Sequence, residues 1–285
     1  MKKKKIIFFA GILFLLNIFV WQEVFDLTKT NNLKIDFLDV GQGDSAFIET
    51  PQMRQILIDG GPSPVVLQKL AKRMPFFDRT IDLIILTHPE KDHLAGLIEV
   101  LQRYRVSYIL WTGVVRDTSE YQKWIDALTK EQKQGAKIIT VKSGQIIKIG
   151  KIKIDTLYPF EDFSGKNLKD SNDSSIVLRL VFDENEFLFT GDISSRVEKF
   201  ISEKVNLQSD VLKVSHHGSK YSTSALFLEN VKPEIAVISV GKNSYGHPTP
   251  ETLQRLENFG IKVLRTDQGG DIEIISDGNN IYMRK

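Results

Sequence analysis

The sequence predicts an α/β protein: two β-sheets packed face to face, helices outside, and one apolar helix ahead of them. Two observations predict the sheets. Short strand-like runs follow one another as a meander near the start, and later runs alternate with helical stretches. A third observation concerns chemistry. All five histidines, His88, His93, His216, His217 and His247, fall just after an apolar, strand-like run. Ligand-rich turns at strand ends are where layered α/β proteins build their sites. The chain has 285 residues, 41% hydrophobic and 26% charged, an ordinary globular composition with room for a large core.

The first stretch stands apart. Met1–Lys5 is basic, and Ile6–Trp21 is almost wholly apolar, broken only by Gly11 and Asn17. A charged start before a greasy segment is the layout of a secretory signal. No small-x-small site follows, because the next residues are Gln22-Glu23-Val24-Phe25-Asp26. The segment therefore reads as an uncleaved single-pass anchor, basic end in the cytoplasm and body outside. Val24 and Phe25 extend it toward the roughly 20 residues that a span needs. Residues 1–30 are thus expected to be anchor and linker, with the linker over Thr28–Asn32, and residues 31–285 one folded domain.

Within the body, Leu33–Val40 alternates as a strand and Gly41–Ser45 is a glycine turn. Strands are expected at Ala46–Thr50 and Gln55–Ile58, then an Asp59-Gly60-Gly61 turn and a helix over Pro64–Arg73. Ile81–Leu86, apolar but for Asp82, reads as a buried strand, and Leu94–Leu101 opens a helix. Val106–Trp111 is a strand and Ser119–Lys133 a helix. Ile138–Val141, Gln145–Ile149 and Lys151–Tyr158 are short strands with a hairpin at Gly150, and Phe160–Ser171 is a polar loop. Ser175–Phe182 pairs with Glu186–Thr190, and a helix spans Ser194–Glu203. Asp210–Ser215 and Glu234–Val240 are strands around a short helix, Ser224–Asn230. Thr249–Phe259 is a helix with Pro250 at its start. Ile261–Arg265, Asp271–Ile275 and Ile281–Arg284 complete the strands. No internal repeat is visible.

Composition removes several chemistries. With no cysteine, disulfides, thiolate metal sites and a cysteine nucleophile are excluded. The net charge of +2 comes from the N-terminus. Residues 1–30 hold five of the 38 basic and two of the 36 acidic residues, so the body carries 33 basic against 34 acidic, a net of −1. A polyanion would have to be held by a local groove or by metal ions.

Thr87-His88-Pro89-Glu90-Lys91-Asp92-His93 packs four candidate ligands, His88, Glu90, Asp92 and His93, into one strand-to-helix turn. Imidazoles and carboxylates at that density suit a divalent metal. Asp192, in Thr190-Gly191-Asp192, is either a metal bridge or the N-cap of the following helix. Asp59 is either a conformational turn residue or the acceptor that orients a ligand imidazole. If His216 and His217 continue a strand they point to opposite faces, so one reaches a metal and the other serves the substrate. Trp111, Tyr121 and Trp124 read as packing rather than a base-stacking platform.

His88-x-Glu90-x-Asp92-His93 resembles the His-x-His-x-Asp-His signature of the metallo-β-lactamase fold, with Glu90 in the second histidine place. Asp39-Val40-Gly41-Gln42-Gly43-Asp44-Ser45, Asp59-Gly60-Gly61, Asn172-Asp173-Ser174-Ser175, Thr190-Gly191-Asp192, His216-His217-Gly218-Ser219 and Gly246-His247-Pro248 accompany it in order. Together they resemble the C-terminal hydrolase domain of ComEC-type competence proteins, over residues 33–285. The resemblance implies an αββα four-layer sandwich with two divalent metal ions. His88 and Glu90 would bind the first metal, Asp92 and His93 the second, Asp192 would bridge, and His216 would add a ligand. Asp92, His217 and His247 would act in catalysis, and Asp39, Gln42, Asp44, Asp59, Asn172, Ser174 and Ser219 would line the substrate or support the ligands. Glu90 would shift the preference toward manganese or magnesium, with zinc admissible. The implied function is a phosphodiesterase, a nuclease acting on DNA outside the cell and anchored to the membrane. The alternatives are a metal hydrolase of a small or lipid phosphoester and a non-catalytic anchored binding module.

Overall fold

A computed structural model describes residues 2–28 and 31–284. The N-terminal helix α1 covers Lys2–Thr28. Its window Lys3–Trp21 is 19 residues long, has a mean hydropathy of 1.9 and buries nothing against the body. Part of the expected linker, residues 29 and 30, lies outside the described residues.

In chain order the body begins with β1 (Leu33–Phe37), β2 (Ala46–Glu49), β3 (Gln55–Ile58), α2 (Val65–Ala71), β4 (Thr80–Ile85), α3 (Lys91–Leu101), β5 (Arg105–Trp111), α4 (Ser119–Lys133) and β6 (Lys137–Thr140). A second series follows: β7 (Ile146–Ile149), β8 (Ile152–Tyr158), β9 (Val177–Phe182), β10 (Asn185–Phe189), α5 (Ser195–Ser202), β11 (Val211–Lys213), α6 (Ala225–Val231), β12 (Ile235–Ile238), α7 (Pro250–Asn258) and β13 (Lys262–Arg265). The short helix α8 (Thr266–Gly269), which sequence reasoning missed, leads to β14 (Ile272–Ser276) and β15 (Ile281–Arg284).

One sheet has the order β15-β14-β1-β2-β3-β4-β5-β6 and the other β13-β12-β11-β10-β9-β8-β7. In each, an antiparallel meander passes into parallel strands joined by helices: β3 to β6 in the first sheet and β10 to β13 in the second. The two halves thus repeat an order of elements that no sequence repeat announces.

Alternation explains the layering. Ile56 and Ile58 face the core between the sheets with Ile35, Phe37, Leu178, Phe187 and Phe189. Leu57, one residue out of phase, packs outward against Val66, Leu97 and Trp124 of α2, α3 and α4. On the second sheet Leu188 and Leu212 pack outward against Val197, Phe227 and Leu256 of α5, α6 and α7. Three apolar cores separate four layers, the αββα sandwich that the resemblance implied. Trp124 is fully buried and Tyr121 nearly so, which makes them core.

The sandwich positions α3 with little freedom. Gly60 and Gly96 bring the Asp59-Gly60-Gly61 turn against the helix, where Gly60 N donates to His93 O at 2.8 Å and Gly96 N to Gly61 O at 2.9 Å. A Cβ on Gly96 would lie 1.9 Å from Gly60 O. Gly96→Ala must therefore push α3 off the turn, costing roughly 1–3 kcal/mol as an overpacked contact. A drop in the denaturant midpoint, with a parallel loss of metal affinity, checks this.

Candidate metal centre

Strands β3, β4, β10, β11 and β12 end at one edge of the sandwich, and the turns that follow them carry the chemistry. Beyond β3 comes Asp59, at φ 57, with Gly60 and Gly61. Beyond β4 come Thr87 and His88, and then α3, whose first turn holds Asp92 and His93. Beyond β10 comes Asp192. Beyond β11 the chain does not continue extended: Ser215–Gly218 is a 3-10 turn with His216 and His217 both left-handed, φ 50 and 53. The alternation expected for a continuing strand therefore does not set which histidine faces inward.

Asp92, His93, Asp192 and His217 each aim one ligand atom at a common point, and those atoms lie within 4.8 Å of one another. His93 Nε2 is 3.3 Å and His217 Nε2 3.4 Å from Asp192 Oδ2, and His217 Nε2 is 3.2 Å from Asp92 Oδ2. A tetrahedral ion with bonds of about 2.0–2.1 Å has ligand–ligand edges of about 3.3–3.4 Å. These four residues are able to hold a metal ion.

Three imidazoles are locked in one tautomer. His93 Nδ1 donates to Asp59 Oδ2 at 2.9 Å, and His217 Nδ1 to Ser239 O at 2.8 Å. His88 Nδ1 lies 3.0 Å from Thr87 Oγ1 and 3.2 Å from Ser175 Oγ. Both hydroxyl protons are already committed, Thr87 to Asp59 Oδ2 and Ser175 to Asn172 O, so both oxygens accept from His88. Each ring therefore keeps its Nδ1 proton and turns Nε2 toward the site, the atom a metal would take once any proton there has left. The buried Nε2 atoms of His88 and His93 and Oδ1 of Asp192 have no hydrogen-bond partner among the described residues.

Electrostatics fits a cation. Burial disfavours charge on His93, yet Asp192, Asp59, Asp44 and Asp92 around it hold its pKa well above the ordinary range. His217 behaves likewise, with Asp192 and Asp44 overcoming burial. Burial resists ionisation of Asp192 too, but His217 and His93 hold it well below the usual carboxylate range. His88 differs: burial and the neighbouring His93 bring it down to about 3, so it stays neutral. Protons here take the place that a metal would take.

Several expected residues lie elsewhere. His216 is not in the ligand group and His217 is, so the expected roles of the pair are exchanged. The outer ring, His216, sits 3.4 Å from the Asn172 amide and 5.5 Å, centre to centre, from His247. Glu90 is drawn off by Arg116, 2.8 Å away, and by the Ser171 hydroxyl. That removes the reason for favouring a harder metal than zinc. His88, expected with Glu90 on a first metal, is not in the group of four whose ligand atoms converge. Ser174 spends its hydroxyl proton on Ser171 O, whereas Ser219 accepts from Tyr221 N and keeps its own proton to donate. Asp39 accepts from Gly41 N and Gln42 from Gly241 N, roles that shape loops. Asp44 lies behind the ligands, 3.3 Å from His217 Nδ1. Asp192 does not cap α5; Asp173 takes that backbone instead, accepting from Ser194 N at 3.0 Å.

Sequence reasoning also missed Lys213. Its buried ammonium pairs with Asp44, lies 3.6 Å from Asp192 Oδ1 and donates to Gly191 O at 3.2 Å. Burial opposes its charge, but Asp44 and Asp192 raise its pKa. The signal was present: a lysine inside the apolar run Val211-Leu212-Lys213-Val214. It neutralises part of a carboxylate cluster that would otherwise repel itself.

The sequence family described as the metallo-beta-lactamase superfamily matches residues 38–242. ComE operon protein 3 of Bacillus subtilis is 33% identical over 261 residues, covering 84% of this chain and 32% of that protein. Competence protein ComA of Neisseria gonorrhoeae is 31% identical over 247 residues, covering 85% of this chain and 32% of that one. The chain thus spans about a third of the length of these relatives. Among solved structures, the metallo-beta-lactamase fold protein YhfI from Bacillus subtilis superposes with a TM-score of 0.55 at 15% identity, covering 85% of this chain and 99% of that one.

Asp59→Asn would exchange the acceptor of His93 Nδ1–H for an amide that competes for the same tautomer. Metal affinity should fall by about 10–100-fold, as for other partners of ligand histidines. His217→Ala should weaken binding far more than His216→Ala. Titration against a chromophoric chelator measures both.

Proposed function

The chain belongs to the metallo-beta-lactamase superfamily, and from that premise we propose that it is a metal-dependent phosphodiesterase cleaving DNA outside the cytoplasm, tethered by α1. The observation that carries the reading is the convergence of Asp92, His93, Asp192 and His217 on one point, beside a rim of His216, His247 and Asn172. The relation to competence proteins supports DNA as the substrate class.

Asp92, His93, Asp192 and His217 would hold a divalent cation, which would supply electrophilic charge to a phosphoryl oxygen and lower the pKa of a water. The chain's own groups do the rest. Asp92 is the most exposed carboxylate of the cluster, its side chain 35% accessible against 3% for Asp192. It is placed to orient a water and accept its proton. Asn172 and His216 offer N–H donors to non-bridging oxygens. His247 stands on the rim to protonate the leaving oxygen; because burial and the nearby His216 and His217 lower its pKa, it carries that proton only on the acid side of the ordinary imidazole range, and kcat should fall as pH rises through that range. Lys213 and Asp44 hold the ligand carboxylates and His217 in place from behind.

A second reading, hydrolysis of a small or lipid phosphodiester, is favoured by one observation: the body has no basic excess. Salt separates the two, since nucleic-acid affinity falls steeply with ionic strength and that of a small ester does not. The chain should cleave single- or double-stranded DNA with manganese or zinc and lose activity in chelator. His247→Ala should lower kcat by about 100-fold or more, the range of a lost general acid, at unchanged metal content. Cleavage of bis(p-nitrophenyl) phosphate without cleavage of DNA would select the second reading.

A further inference from the structure

The end of the sandwich opposite the metal centre has an unusual surface. Phe76 and Phe77, on the loop after α2, are 85% and 75% exposed, with their rings edge to face at 5.4 Å. Met53, in the turn between β2 and β3, is exposed as well. Around the phenylalanines stand the exposed side chains of Lys72, Arg79, Arg103 and Arg105. The Arg103–Arg105 turn is joined to the loop by Arg105 N donating to Arg79 O at 2.8 Å. Acidic groups share the region and are engaged: in the groove that Lys72 also lines, Asp36 and Asp271 pair with Arg73, Glu49 with Lys34 and Glu273 with Arg284. Asp78 accepts from Thr80 and Gln55, and Asp82 from Arg54 and the Gln55 backbone.

Strand register ties this surface to α1. Lys34, at the start of β1, lies opposite Glu49, and Glu49 opposite Gln55. Gln55 in turn bonds Asp78 and Asp82. The chain from α1 therefore enters at the same end as Phe76 and Phe77, three strand spacings or about 15 Å along the sheet. The segment from Thr28 to Leu33 spans at most about 18 Å. The ligand turns lie at the other end of those strands.

We propose that this end is a membrane-contact surface: Phe76 and Phe77 enter the interfacial layer of an anionic bilayer, and Lys72, Arg79, Arg103 and Arg105 meet its lipid phosphates. Paired aromatics ringed by basic side chains fit that layer, where apolar burial and headgroup attraction add. The proposal rests on the reading of α1 as an anchor, and it turns the metal centre away from the bilayer.

The chain has no cysteine of its own, so single introduced cysteines carry an unambiguous label. The full chain is placed in nanodiscs containing phosphatidylglycerol, as Phe77→Cys, Leu13→Cys or Ser244→Cys, each bearing an environment-sensitive fluorophore. Leu13 reports the anchor, and Ser244 is an exposed control on the loop near the metal centre. The label at 77 should brighten and be quenched by doxyl lipid, and the label at 244 should do neither. Quenching at 77 without quenching at 13 would support the surface and remove the anchor. If 13 is quenched while 77 behaves like 244, the proposal falls and the anchor stands. It falls equally if the label at 77 brightens with protein concentration in detergent and ignores doxyl lipid, because a second copy would then cover the patch.

Discussion

The carboxylate of Asp59 is the constraint on which the site depends. One oxygen accepts from Thr87 N at 2.8 Å; the other accepts from the Thr87 hydroxyl at 2.7 Å and from His93 Nδ1 at 2.9 Å. Because the Thr87 proton is spent on Asp59, the Thr87 oxygen is free only to accept, and it takes the proton side of His88. A single buried acid thus orients two imidazoles from opposite directions. Its burial pushes its own pKa up against the pull of His93, a cost that the surrounding donors only partly offset.

That arrangement requires close backbone approach. Gly60 and Gly96 let α3 sit directly on the turn that carries Asp59, and Asp44 N donates to Asp92 O at 3.2 Å from the other side. The first turn of α3 is therefore held by backbone from two loops before any side chain acts. Asp92 and His93 are presented by packing rather than by their own rotamer preferences. The second sheet contributes Asp192 and His217 through strands that end at the same edge, so the site exists only where both sheets meet.

Much of this was legible in the chain. Strand-like runs ending in Asp-Gly, Thr-His and Gly-Asp dipeptides marked the turns, and the apolar run Leu83-Ile84-Ile85-Leu86 marked a strand covered on both faces. What sequence reasoning left open divides by mechanism. Asp192 had two roles of equal plausibility, and the choice depended on whether another group would serve the start of α5; Asp173, from a distant loop, does so. Glu90 occupied the ligand position of a signature, but Arg116 and Ser171 compete for it, and neither is near it in the chain.

The sequence by itself determined the layers, the order of elements and the set of turns from which a metal site could be built. Periodicity and turn chemistry are local properties, readable from neighbouring residues. Only the tertiary structure decided which ring of the His216-His217 pair faces inward, since both take left-handed backbone conformations rather than the alternation of a strand. It also decided that Lys213 stands behind the candidate ligands, and that β1 begins at the end away from them. These outcomes depend on which groups compete for each donor and acceptor across the fold, and on strand register, which no local pattern contains.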